Sequence, residues 1–320
     1  MSEYPNNGYV DLEYIYNINY VIGGVLLATS VLLIFIQISI FIILWKNPEM
    51  LKNMHYRLMR HLCFTQLIQQ ICHFVSSIYS IFLIRPIEII GNIIASMLQT
   101  FYLSSITILF VLSLNRFDII FNRIIFQSLN REKFFYYYII INYIWNVPLF
   151  AFFMVPNFEL YFSLYDYGWK FNRTTPNWKI ALTVENRYVI TLLSLSFIIY
   201  VIIIGRIVKI RSYASRNINI SFSEIILFIQ GVLTFLFIVF IEACWSFLSK
   251  YLPQSKYTFT VLNYLYLLST GTHSILNIIF VKELRLGFRK LLCLRKRGAN
   301  NSKMKSLKLT AVKIKHNYNH

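Results

Sequence analysis

Seven long apolar stretches, separated by short polar segments, are the feature that most constrains this chain. An α-helix rises about 1.5 Å per residue and the hydrocarbon core of a bilayer is about 30 Å thick, so roughly twenty apolar residues suffice for one crossing. With 57% hydrophobic and 14% charged residues, a soluble chain of this length would lack the polar surface to stay dissolved. We therefore predict an all-α membrane protein, a seven-transmembrane helix bundle, with spans near 18–45, 62–84, 91–115, 134–156, 188–205, 224–250 and 258–281.

The basic residues lie mainly on one predicted face of the membrane. Segments 46–61, 116–133 and 206–223 carry four Lys or Arg residues each, and the chain from Lys282 onward carries twelve. The segments of the other face carry seven. Short basic loops are retained in the cytoplasm during insertion, so we expect an extracellular amino terminus and a cytoplasmic carboxyl terminus.

The same asymmetry suggests four regions along the chain. Leu284, Phe288, Leu291 and Leu292 share one helical face after the last span and basic residues cover the other, which predicts a short amphipathic helix along the inner membrane surface. The formal charge of +18 is explained by topogenic residues and by attraction to anionic lipid rather than to nucleic acid. The predicted regions are an extracellular terminus at 1–17, the bundle at 18–281, the juxtamembrane helix at 282–294 and a basic tail at 295–320.

Cysteines and sequons give two candidate modification sites. Cys63, Cys72 and Cys244 lie in predicted spans and are interpreted as small buried residues. Cys293 follows the last predicted span by about a dozen residues and lies among basic and apolar residues, so it is a candidate for palmitoylation, with an unmodified thiol as the alternative. Asn172, in Asn172-Arg173-Thr174, lies on a predicted outer loop where it can be glycosylated. The spacing of the cysteines and histidines resembles no metal site, and we expect no cofactor.

Three short motifs in the spans carry a family resemblance. The third span ends in Asn115-Arg116-Phe117, the sixth contains Phe240-Ile241-Glu242-Ala243-Cys244-Trp245, and the seventh contains Asn277 before its inner end. In this order the chain resembles the nematode serpentine chemoreceptors, class T or class X, a divergent branch of the seven-helix G-protein-coupled receptors. The resemblance implies a chemosensory receptor in the plasma membrane, with sensory cilia as a further implied location. Its implied partners are a small-molecule ligand and a heterotrimeric G protein.

The resemblance also implies roles for individual residues. Arg116, with Asn115 replacing the usual acid, is expected to engage the G protein, although a basic residue that merely flanks a span is the simpler interpretation. Phe240, Trp245 and Asn277 would belong to the conformational switch. Phe247 stands where many rhodopsin-like receptors have proline, so the expected kink in the sixth span should be missing. The outer segments contain no cysteine, so no disulfide can hold the second outer loop.

A candidate ligand site lies in the outer half of the bundle. Glu242 is the only carboxylate that the predicted spans place well inside the membrane, where an ionised side chain costs at least about 2.5 kcal/mol, so it must face the bundle, be neutral or have a partner. We predict a mostly apolar cavity lined by Trp245, Tyr102 and Tyr266, with Glu242, Gln99 and Asn263 as polar contacts. The alternative is that these polar groups only hydrogen-bond between helices. The aromatic loop 157–187 would cover the cavity or lie at the lipid interface.

Other functional classes fit less well. Paired carboxylates, Ser/His/Asp arrangements and histidine-rich metal ligands are not recognisable inside the predicted spans, which argues against an enzyme. A seven-helix ligand-gated channel like the insect chemoreceptors would have the opposite orientation, against the charge distribution. A small transporter would show more helices broken by Gly or Pro near the midplane.

Overall fold

The computed structural model describes residues 12–121, 130–212, 222–248, 251 and 255–292. Within these ranges seven long helices form the bundle: α1 Leu12–Lys46, α3 Met54–Phe82, α4 Glu88–Ile120, α5 Arg131–Met154, α6 Trp178–Ser212, α7 Phe222–Ala243 and α8 Lys256–Phe280. The smaller helices are α2 Pro48–Leu51, the 3-10 turn Pro156–Phe158, the π-helix Cys244–Leu248 and α9 Lys282–Leu292. The predicted all-α bundle is confirmed.

Most of these helices have the length and composition of membrane spans. Five of them, α1, α4, α5, α6 and α7, can each cross a membrane alone, and α8 with α9 qualifies as a pair bent by 96°. Helix α3 is too polar to qualify by composition. Its polar residues face inward, because all of the following are buried: Gln66, Gln69, Gln70, His73, Ser76, Ser77 and Ser80.

Helix α4 lies at the centre of the bundle. Of its most apolar stretch 72% is buried, against 22% for α6, whose exposed side chains face the predicted lipid. Buried polar groups connect the helices around it: Gln69 donates to the Phe101 carbonyl at 3.1 Å, and Asn142 donates to Ser104 at 2.8 Å. Such bonds contribute modestly in a membrane but satisfy groups that lipid cannot.

Local sequence signals explain where three helices begin. The side chains of Asn53, Asn130 and Ser255 accept hydrogen bonds from backbone N–H groups two or three residues ahead, which caps α3, α5 and α8. Helix α3 ends at Leu83, whose φ of 52° places it in the left-handed conformation that commonly closes helices.

The amphipathic helix predicted after the last span is also confirmed. Leu284 is buried against α1 and Phe288 packs on the same cluster, whereas Lys282, Arg285, Arg289 and Lys290 are exposed. A side chain at Gly287 would collide with Ile43, so close contact between α9 and α1 explains the glycine. Cys293, the tail from 294 and residues 1–11 lie outside the described residues, and the predicted outer terminus 1–17 is helical from Leu12.

A β-hairpin follows α5. Its strands β1 Leu160–Ser163 and β2 Gly168–Phe171 pair antiparallel, with Leu160 opposite Phe171. The buried Leu160, Phe162 and Trp169 join the core around Leu98 and Tyr102. The hairpin therefore closes one end of the bundle, which we call the hairpin end.

Candidate functional site

Four helices meet beneath the hairpin around two tyrosines. Tyr102 of α4 is buried, and its hydroxyl donates a hydrogen bond to Glu242 of α7. Tyr266 of α8 packs edge-on against the Tyr102 ring, and His73 of α3 packs edge-on against Tyr266, each with ring centroids 5.2 Å apart. The structure therefore brings together Tyr102, Tyr266 and Glu242, three of the residues predicted to line the ligand site.

A second carboxylate belongs to the same group of side chains, so the prediction that Glu242 is the only carboxylate well inside a span is wrong. Helix α6 begins at Trp178, ten residues before the predicted span, so Glu185 lies inside it and Glu242 is not the only carboxylate within a helix. The Glu185 side chain interacts with Gln99 of α4, and its charge is within electrostatic range of Glu242. We call Gln99, Tyr102, Glu185, Glu242 and Tyr266 the carboxylate cluster.

Polar atoms in and beside the cluster have no hydrogen-bond partners. They are the Tyr266 hydroxyl and the Nε2 atom of the buried His73, whose ring packs against Tyr266. The adjoining cavity is lined on one side by Tyr102, Gln66 and Gln69 and on the other by Ile238 and Ile241, with room for about one water molecule. A larger molecule could enter only if side chains moved.

Three predicted residues take other positions. Asn263 donates from its side chain to the Asp166 carbonyl at 3.2 Å, so it contacts the hairpin rather than the cluster. Trp245 is half-buried in the π-helix Cys244–Leu248, which replaces the regular α-helical spacing from Glu242. Phe240 is 52% exposed on the outside of the bundle. A switch residue acts by repacking against neighbouring helices, and Phe240 is not packed between helices here.

The π-helix lies where rhodopsin-like receptors usually have a proline. It includes Phe247, which stands at the proline position of the sixth-span motif. π-Helical segments are one of the few causes of local deformation in a helix and are frequent at functional sites. A change of helical winding is therefore present here without proline.

Hydrogen bonds hold the hairpin in the absence of a disulfide. Trp169 Nε1 donates to Ser76 Oγ of α3 at 2.7 Å, and the Tyr167 hydroxyl donates to Asn19 of α1. Burial raises the pKa of Tyr167 to about 12, so the hydroxyl keeps its proton at neutral pH. Together with Asn263, these contacts tie the hairpin to three helices, so the loop predicted as a cover is a folded plug.

Gly168 provides a direct test of this plug. A Cβ atom at this position would overlap the Asn263 amide, which is buried and bound to Asp166, whereas Gly24 in α1 has no neighbour within 4 Å of such an atom. We expect Gly168→Ala to lower the free energy of unfolding by about 1–3 kcal/mol. Gly24→Ala, as control, should leave it unchanged or raise it because alanine favours helix. Equal melting temperatures for both variants would refute the close contact.

The second candidate region lies at the opposite end of α4. Arg116 is 4% exposed and Asn115 is fully buried. Asn115 accepts a hydrogen bond from Arg131 of α5 at 2.8 Å, and the same Arg131 forms an ion pair of 2.6 Å with the fully buried Asp118. The acid missing at position 115 is thus supplied three residues later, and it pairs with α5.

Arg116 itself forms no salt bridge among the described residues, and its Nη2 atom has no hydrogen-bond partner. Its charge lies within electrostatic range of Tyr200, Tyr56 and Glu224. Asn277, the residue of the seventh-span motif, is fully buried and donates to the His273 carbonyl at 2.9 Å. The guanidinium is held inside the bundle without a strong partner.

Other predicted positions are simpler. The Asn172 amide donates to Glu159 at 2.9 Å, so glycosylation there would require this bond to break. Cys63, Cys72 and Cys244 are buried, as predicted. Among the described residues, no group of three His, Cys, Asp or Glu side chains is arranged to hold a metal ion.

Comparison with known proteins gives a structural relationship only. No family model and no curated protein sequence matches this chain. The crystal structure of squid rhodopsin superposes with a TM-score of 0.69 at 10% sequence identity, covering 87% of this chain and 86% of that chain. At this identity the likeness shows the fold. The chain is therefore an integral, multi-pass membrane protein with the seven-helix fold seen in squid rhodopsin.

Proposed function

We propose that this protein is a G-protein-coupled chemosensory receptor of the nematode serpentine type. It would bind an extracellular small molecule in the carboxylate cluster and activate a heterotrimeric G protein at the Arg116 end. Orientation with the amino terminus outside is supported by the basic segments at the Arg116 end. Location in the plasma membrane, including sensory cilia, follows from this role.

The buried Arg116 is the observation that carries the proposal. An arginine without a carboxylate partner is expensive to bury, so a chain that only needed a stable helix end would place it in water or pair it. The Arg116 guanidinium at the end of the central helix has only weak contacts inside the bundle. When the helices move, it could replace them with contacts to a G protein. The π-helix in the sixth span offers one element that could change its winding.

The carboxylate cluster supports the binding half of the proposal. Its residues come from α4, α6, α7 and α8, so a ligand that separates Tyr102 from Glu242 would act on several helices at once. A ligand shifts a conformational equilibrium only by binding one arrangement of the helices better than the other. A ligand that contacts several helices would bind differently when those helices move, so it could favour one arrangement.

The proposal is tested by nucleotide exchange. The full-length protein in lipid nanodiscs is mixed with heterotrimeric G proteins of each main class, and GTP uptake is followed without ligand and with candidate odorants. We expect at least one G protein to exchange faster than with empty nanodiscs. Absence of any acceleration across all classes, with the protein folded, would count against the receptor function.

The alternative function, a seven-helix channel, is distinguished from the receptor by the side of the membrane on which each terminus lies. A tag at the amino terminus of intact cells should bind antibody without permeabilisation, and a tag at the carboxyl terminus should require it, because the basic segments stay inside. The reverse pattern would eliminate the receptor and favour the inverted channel. Electrical recording of the same cells should show no ligand-dependent current.

A further inference from the structure

We infer that the ligand of this protein is a cation, a protonated amine carried on an apolar body, held between Glu185 and Glu242. The inference rests on the proposed function and names the chemical class that the carboxylate cluster takes. It begins with Glu185, which α6 carries into the bundle through its early start at Trp178. Glu242 reaches the same region from α7.

Two half-buried carboxylates close together between membrane-spanning helices favour a compensating positive charge or a shared proton. Among the described residues, no lysine, arginine or histidine forms a salt bridge with Glu185 or Glu242. The groups that contact them are neutral: Tyr102 donates to Glu242, and Gln99 adjoins Glu185. The described residues supply acceptors for a cation at this site and place no cationic side chain on them.

Unused polar atoms around the carboxylates point to the same site. The Tyr266 hydroxyl and the Nε2 atom of His73, which packs against Tyr266, have no hydrogen-bond partner, and His73 is more than nine-tenths buried. Buried polar groups are normally satisfied, so these two atoms beside the carboxylates are available to hydrogen-bond a ligand. The Tyr102 and Tyr266 rings, 5.2 Å apart, add electron-rich surfaces that attract an ammonium group.

The surrounding side chains define the rest of the molecule. Below Tyr102 the cavity wall is formed by Ile106, Leu109, Ile238 and Ile241, which suit an alkyl or aromatic body. Because the cavity has room for about one water molecule, the ammonium would first replace the Tyr102 hydroxyl on Glu242. A carboxylate or phosphate ligand would meet like charges and is excluded by repulsion.

The test uses matched triplets of small molecules and needs no known agonist. The full-length protein in nanodiscs is melted with an amine, an alcohol and a carboxylic acid that share one carbon skeleton, using n-butyl, n-hexyl, n-octyl and 2-phenylethyl skeletons. For at least one skeleton, the amine should raise the melting temperature and the alcohol and acid should not. An inorganic cation is examined by comparing NaCl with KCl at equal ionic strength.

Variants then locate the effect. Glu185→Gln and Glu242→Gln should each weaken the amine's apparent affinity by about tenfold or more, because a charge-assisted contact is lost. Glu242→Asp should retain a preference for amines, and Glu88→Gln, at an exposed position at the start of α4, should bind amines as the unchanged protein does. Without ligand, the two Gln variants should melt no lower than the parent, since one of two like charges is gone.

Two results would overturn the inference. In the first, no amine raises the melting temperature more than its alcohol does, whether or not NaCl and KCl differ. In the second, the amine raises the melting temperature of both Gln variants as much as that of the parent. These outcomes are independent of the G protein, because binding is measured without it. Amine binding without nucleotide exchange would instead refute the proposed function and leave the ligand class standing. Nucleotide exchange driven only by neutral compounds would refute the amine ligand and leave the receptor function standing.

Discussion

Arg131→Met is expected to lower the free energy of unfolding by about 3–5 kcal/mol, because it removes the 2.6 Å ion pair between Arg131 and the fully buried Asp118. The loss also removes the hydrogen bond that Arg131 donates to Asn115, so two contacts between α4 and α5 disappear together. The change can be measured by reversible denaturation in detergent micelles.

Two controls identify the cause. The double variant Arg131→Met/Asp118→Leu should recover most of the stability, since neither charge then remains buried. Lys52→Met breaks an ion pair with Glu49 whose side chains are 72% and 78% exposed, so it should change stability by less than about 1 kcal/mol. If Arg131→Met had no greater effect than Lys52→Met, the buried ion pair would not hold α4 and α5 together.

Arg116→Met is expected to separate function from stability. The side chain forms no salt bridge among the described residues and its Nη2 is unpaired, so an apolar replacement should leave the melting temperature unchanged or raise it. Contacts of a charged donor to a partner contribute about 1.5–3 kcal/mol each, so G-protein activation should fall by about tenfold or more. The half-exposed Arg57, on the neighbouring helix α3, provides the control Arg57→Met.

The backbone architecture could be predicted because it depends on local composition. The apolar stretches located all seven helices, and the placement of Leu284 and Phe288 located the amphipathic helix. The hydropathy pattern places the start of α6 ten residues too late, because Lys179, Glu185 and Arg187 lower the hydropathy of its first turns. Their helical conformation becomes evident only when Glu185 is placed against Gln99 of another helix.

The candidate site could be predicted in part. Counting residues from the outer end of a span gives depth in the membrane and predicts Tyr102 and Tyr266 at one level, and the membrane cost of a charge predicts that Glu242 faces the bundle. The hairpin contacts were not predictable in this way. Tyr167 and Asn19 are separated by 148 residues and Asn263 and Asp166 by 97, so no local pattern relates them. The prediction that Trp245 lines the cavity with Glu242 requires regular α-helical spacing, and the π-helix Cys244–Leu248 interrupts that spacing.

The buried Arg116 is the basis of the central proposal, that this protein transmits a ligand signal to a G protein. The most direct measurement is GTP uptake by a responsive heterotrimeric G protein, comparing the unchanged protein, Arg116→Met and Arg57→Met in nanodiscs at matched folded concentration. The account predicts acceleration by the unchanged protein and by Arg57→Met, and its loss in Arg116→Met at an equal or higher melting temperature. Undiminished acceleration by folded Arg116→Met would contradict it.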